Sequence, residues 1–181
     1  FPQRRFSMEE DPLLDKVSKL AENPPVVKGV PLAFDPAKHP LAGIVGPRAR
    51  VWAFVRGLMM QAAAYYSYQD VKMVLVADLA EEAEWGFARS LPHLFDDSGT
   101  VRYLACDYDD LTLVGAHLSH VLDQRREARF EKVADCGTYY LVICANKALC
   151  ERSDAIGELE RMHGNLGFSL VFLGEGLSDL P

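Results

Sequence analysis

The sequence has no surplus of positive charge: 19 Lys and Arg stand against 26 Asp and Glu, a formal net charge of -7. Surfaces that bind nucleic acid through its phosphates are usually basic, so nucleic acid is not an expected partner. Cysteine is scarce. Cys106, Cys136, Cys144 and Cys150 form no C-x-x-C pair and show no zinc spacing, and they read as reduced, mostly core thiols. No apolar run reaches the roughly 20 residues that a membrane span needs. The longest, Val51 to Tyr66, is broken by Arg56, Gly57 and Gln61 and reads as a buried soluble helix. The chain opens on Phe1-Pro2 with neither an initiator Met nor a signal-peptide pattern, so it reads as a piece of a longer protein whose anchor lies elsewhere. Internal repeats and low-complexity tracts are absent.

What is present is an ordinary globular composition: 181 residues, 49% hydrophobic and 25% charged, enough to bury a full core. After Asp11-Pro12, the spacing of Leu13, Leu14, Val17 and Leu20 predicts a short lead-in helix. Residues 1–28 are therefore read as a lead-in segment and 29–181 as one α/β domain. Pro24, Pro25 and Pro31 bracket an extended stretch, Val26 to Phe34, suited to an edge strand.

From there strands and helices alternate. Leu41–Val45 is a short apolar strand that closes on Gly46-Pro47, and a helix follows from Arg48 to about Tyr66. Val71–Ala77 is apolar on both faces, as a strand covered from both sides should be, and Asp78 stands at its carboxyl end. Glu81 to Ser90 reads as a short helix or loop, and Val101–Cys106 as a further strand. Asp107, Asp109 and Asp110 offer caps for a helix in which Leu111, Val114, Leu118, Val121 and Leu122 recur at steps of three and four. Tyr139–Ala145 is a strand, Asp154–Met162 a helix and Phe168–Leu173 a last strand, with Gly164 and Gly167 marking the helix exit. The order predicts a three-layer, P-loop NTPase-like (Rossmann-like) α/β fold with a mainly parallel sheet.

The segment Gly43-Ile44-Val45-Gly46-Pro47-Arg48-Ala49-Arg50 occupies the strand-to-helix turn where a P-loop cradles phosphate on backbone N–H groups. A working loop needs Lys on the β- and γ-phosphates and a hydroxyl on magnesium. Neither follows Gly46, and Pro47 removes a donor. Losing one charge-assisted contact costs roughly 1.5 to 3 kcal/mol, so tight ATP binding is not expected. Two readings stay open: a purely structural turn, or vestigial anion binding at Gly43, Gly46 and Arg48. The acidic residue that should end the strand Tyr139–Ala145 is replaced by Ala145-Asn146-Lys147, which can neither hold magnesium nor orient water through a carboxylate.

Other candidates have plainer alternatives. His117 and His120, with Asp123, have metal-compatible helical spacing, but polar residues are expected on an outer helix face anyway. Cys136 or Cys144 could serve as a nucleophile beside a His, although Cys144 sits in an apolar strand. Arg125, Arg126 and Arg129 read as a solvated helix end or as a partner contact.

Taken together, Gly43-Ile44-Val45-Gly46, the helix ending Gln61 to Tyr66, Tyr68-Gln69-Asp70-Val71-Lys72, Glu84-Trp85 and Leu91-Pro92-His93 resemble the degenerate domain that precedes the ATPase modules in EssC/EccC-like type VII secretion ATPases of the FtsK/SpoIIIE group. Leu122–Arg126 and Tyr139–Cys144 continue the match, which covers roughly Val30 to Glu175. The resemblance implies a long, membrane-anchored ATPase, with this domain on the cytoplasmic side of the bacterial membrane as a non-catalytic coupling piece. It implies neighbouring ATPase domains of the same chain and membrane components of a secretion complex as partners, with an oligomeric parent. ATP and magnesium would belong to the other domains, and no cofactor or metal is expected in this one. Two rival readings remain: a weak or regulatory nucleotide-binding domain in which Arg48 or Arg50 replaces the missing Lys, and a small-molecule enzyme of flavodoxin-like layout. The latter would use the strand ends near Gly46, Asp78 and Asn146.

Overall fold

The structure, a computed structural model, describes residues 12–22, 29–30, 33–81, 83–128 and 136–181. It divides into two units, Phe1–Phe34 and Asp35–Pro181. In the first, the helix expected from the leucine spacing forms as α1, Pro12–Glu22. Proline at its start costs nothing, because the first-turn N–H groups have no intrahelical acceptor. The edge strand expected over Val26–Phe34 falls largely outside the described residues.

The second unit runs β1 (Leu41–Val45), α2 (Arg48–Tyr65), β2 (Val71–Val76), three short 3-10 turns, β3 (Leu104–Ala105), α3 (Tyr108–Ala128), β4 (Tyr139–Cys144), α4 (Lys147–Cys150), α5 (Asp154–Glu160) and β5 (Phe168–Gly174). The five strands lie in the order β1-β5-β4-β2-β3. Every pairing is parallel, with Val142 opposite Val74 on one side and Leu170 on the other. Right-handed crossovers then place the helices. The step from β1 to β2 crosses the sheet in one direction and puts α2 on one face. The steps from β3 to β4 and from β4 to β5 run back, so α3 and α5 lie on the other, where they touch each other. Gly115 of α3 leaves room there: a Cβ at that position would lie 3.4 Å from Ser153 Oγ. The result is the three-layer α/β fold expected, with an all-parallel sheet.

The central strands β2, β4 and β5 are buried on both faces, which is why they read as near-continuous apolar runs. Edge strand β1 alternates between exposed and half-buried positions. Strand β3 is shorter than the expected Val101–Cys106. Arg102 is taken by an antiparallel bridge to Phe95, and the Val101 N–H donates to Asp96 Oδ1 at 2.8 Å, so only Leu104 and Ala105 join β2. Of the three candidate caps for α3, Asp107 performs the role, its Oδ1 accepting from the Asp110 N–H at 2.8 Å. The glycines at the exit of α5 have the positive φ that a left-handed turn requires, +93° at Gly164 and +81° at Gly167.

The basic cluster at the end of α3 needs correction. Arg125 is 5% exposed rather than solvated. Its guanidinium donates to the carbonyls of Leu166 and Thr138 and, at 3.1 Å, to that of Gly167, and it stacks on Tyr140 and Phe168. Burial holds its pKa below the ordinary arginine value. Arg126 is the half-exposed member and pairs with Glu158. Arg129 lies outside the described residues.

Candidate functional site

The carboxyl ends of β1 and β4 lie on either side of that of β5, and their polar groups are engaged within the chain. Gly46 follows β1 with φ +155°, and its N–H donates to the Gly174 carbonyl at 3.1 Å. Pro47 then stands at the cap position of α2 and supplies no side-chain hydrogen bond. Gly43 lies in mid-strand opposite Phe172, with the Leu180 side chain against it. Arg48, the first residue of α2, forms an ion pair with Glu81 and lies over the Trp52 ring, 5.1 Å from its centre. Arg50 is exposed.

At the end of β4, the Asn146 side chain accepts from the Leu149 N–H at 3.0 Å and caps α4. Lys147 Nζ reaches back to the Leu180 carbonyl at 3.0 Å. The Asp179 carboxylate accepts from the N–H groups of Glu175 and Gly176 at 2.8 and 2.9 Å, and these hydrogen bonds hold its pKa below the usual carboxylate range. Residues 175–180 thus fold as a strap over the strand ends. Between strap and sheet lies a cleft of about 350 Å³ walled by Arg48, Trp52, Lys147 and Asp179 among others. Gly46, Asp78 and Asn146 do not line it. Asp78 instead ends β2 as a turn residue, its Oδ1 accepting from the Ala80 N–H at 2.9 Å.

A second, larger hollow of about 650 Å³ opens on the other side, walled by Asp96, Asp97, Tyr103, His117, Arg125 and Tyr140 among others. The metal-compatible histidines diverge in their bonding. His117 Nε2 meets Tyr103 Oη at 2.7 Å, whereas His120 Nε2 meets the Gln124 side chain at 3.0 Å. Burial lowers the His117 pKa, which favours the neutral ring. Among the described residues no group of three His, Cys, Asp or Glu side chains is placed to hold a metal ion.

All four cysteines are free, with Cys136, Cys144 and Cys150 buried and Cys106 half-buried. The hydrogen bond to Cys150, together with complete burial, pushes the Cys144 thiol well up, so it is a protonated core group rather than a nucleophile.

Sequence reasoning singled out Gly46, Arg48, Asn146 and Lys147 but not Glu81 or Asp179, the carboxylates that engage this end of the sheet. The one local signal was Gly174-Glu175-Gly176, a turn with N–H groups to spare, followed three residues later by Asp179.

No protein-family model matches the chain. Over 170 residues, 92% of its length, it is 27% identical to the "ESX secretion system protein EccC" of Geobacillus thermodenitrificans (strain NG80-2). The chain spans only 11% of that relative. The similarity to EccC expected from the order of short motifs thus extends over most of the chain. Among the described residues no helix is long and apolar enough to cross a membrane.

Proposed function

We propose that this chain is a non-catalytic structural and coupling domain of a membrane-anchored FtsK/SpoIIIE-type ATPase that drives type VII protein secretion. The similarity to EccC supports the secretory part of the reading. The observation that carries the non-catalytic part is the fate of the two strand ends where phosphoryl-transfer groups belong. After β1 stand Gly46, Pro47 and an Arg48 already paired with Glu81. After β4 stand Asn146, used as a helix cap, and Lys147, held by carbonyls of the strap. A nucleotide with magnesium needs a Lys, a hydroxyl and a carboxylate at those places.

On this reading ATP and magnesium belong to other domains of the parent protein, and its ATPase modules and membrane-embedded partners lie on either side of this one at the cytoplasmic face. The chain's contribution is mechanical. A closely packed parallel sheet with helices on both faces moves as a body and passes displacement on.

Two measurements test it. The purified chain should release no phosphate from millimolar magnesium-ATP above the blank; turnover that Arg48→Ala abolishes would sink the proposal. In the parent protein, replacing this domain by a flexible linker of equal span should leave ATP hydrolysis intact and stop export. Undiminished export would reduce the domain to a dispensable spacer.

A further inference from the structure

The cleft under the strap has the parts of an oxyanion site, with its cations turned onto the chain's own oxygens. Helix α2 starts with no side-chain cap and no acidic residue in its first turn, so nothing in the helix offsets the positive end of its dipole. Arg48 projects from that end and is 55% exposed, while its partner Glu81 is only 10% exposed. Trp52 beneath the guanidinium also walls the cleft; it is 7% exposed, and its Nε1 has no hydrogen-bond partner among the described residues. Lys147, at the start of α4, donates to the carbonyls of Ser178 and Leu180 and lies in the field of the Asp179 carboxylate, which also walls the cleft.

The closing contact is itself incomplete. Glu81 Oε1 meets Arg48, but Oε2 is buried and meets no donor among the described residues. A buried carboxylate with one oxygen unsatisfied is weakly held, because desolvation of that oxygen opposes the attraction of the pair. Arg48 has a second contact besides Glu81, the Trp52 ring beneath its guanidinium. A guanidinium carries five donors in a fixed fork, and a phosphate offers more acceptors to it than one carboxylate oxygen does.

We propose that Glu81 is an internal stand-in for an oxyanion: it keeps Arg48 occupied, and when it is withdrawn or neutralised the cleft takes a phosphate-class anion between Arg48, the start of α2 and Lys147. The inference goes beyond the coupling role and does not rest on it, because it concerns binding without turnover.

The chain carries its own reporter. Its two tryptophans, Trp52 and Trp85, have ring centroids 5.8 Å apart, and the first lies under Arg48. The 181-residue chain, Glu81→Gln, and Glu81→Gln with Arg48→Ala are titrated with inorganic pyrophosphate at constant ionic strength, following tryptophan emission. Glu81→Met is run alongside, and thermal unfolding confirms that each variant is folded. Neutralising Glu81 should tighten pyrophosphate binding about tenfold or more, and removing Arg48 should abolish the gain. A wild-type chain that binds as tightly as the folded Glu81 variants overturns the proposal. So does a gain that survives Arg48→Ala.

Discussion

The side chain of Leu180 fills the space beside Gly43: a Cβ built on that glycine would come within 2.4 Å of Leu180 Cδ1. The glycine in mid-strand thus gives the strap its seat. Gly43→Ala should displace the flexible tip of Leu180 and leave the β1–β5 register alone, because Gly43 is not among the positive-φ glycines. Stability should change by less than about 1 kcal/mol. Amide exchange should accelerate across Gly176–Leu180 and stay unchanged in β5. Exchange unchanged in both segments would mean that Leu180 does not hold the strap.

Removing Arg125 should be far more costly than removing its neighbour Arg126. Arg125 serves three carbonyls and two aromatic rings from a buried position, whereas Arg126 makes half-exposed ion pairs. Arg125→Ala should cost about 3 kcal/mol or more in denaturant unfolding, by leaving buried acceptors unpaired. Arg126→Ala should cost about 0 to 1 kcal/mol. Equal costs would contradict the burial of Arg125.

The ion pair between Lys72 and Asp97, 3.1 Å long, joins an amine 2% exposed to a carboxylate 84% exposed. Nearly all the desolvation cost falls on the lysine. Lys72→Met, which keeps the apolar stem in the sheet, should be neutral or stabilising, whereas Asp97→Asn leaves the amine buried and should destabilise by about 1 kcal/mol. Melting temperatures of the two variants decide it, and the opposite ranking would show that the pair is net favourable.

His117 gives a pH dependence with a definite sign. Burial, then repulsion from His120, lowers its folded pKa against the opposing pull of Asp96 and Asp97. The unfolded chain therefore binds the proton first, and stability should fall as pH drops below the ordinary histidine value of about 6.5. Its imidazole resonances should titrate below that value, and His117→Gln should flatten this part of the stability curve. A midpoint at or above the ordinary value would place the ring in water rather than against Tyr103.

The layered fold was legible because β2, β4 and β5 each announce themselves as apolar runs and α3 shows its buried stripe and an Asp cap. The strand order was not, since no local pattern tells Leu41–Val45 that its partner is Phe168–Gly174. Arg125 was misread for a related reason. Its place in a basic cluster at a helix end suits the dipole, and the rings that bury it come from β4 and β5. Arg48 and Arg50 were both visible at the turn, but Glu81, which pairs with Arg48, sits 33 residues on and looks like any acidic turn residue.

Among the described residues β1 has a single partner in the sheet, and that partner is the last of the described strands. As residues leave the ribosome, β2 can pair with β4 once Cys144 has emerged, while Leu41–Val45 stays unpaired until Phe168–Gly174 follows. Closing so long a loop is entropically slow. The first of the described strands is thus the last of them to be secured, and during synthesis it is the part of this sheet most open to pairing with another nascent chain.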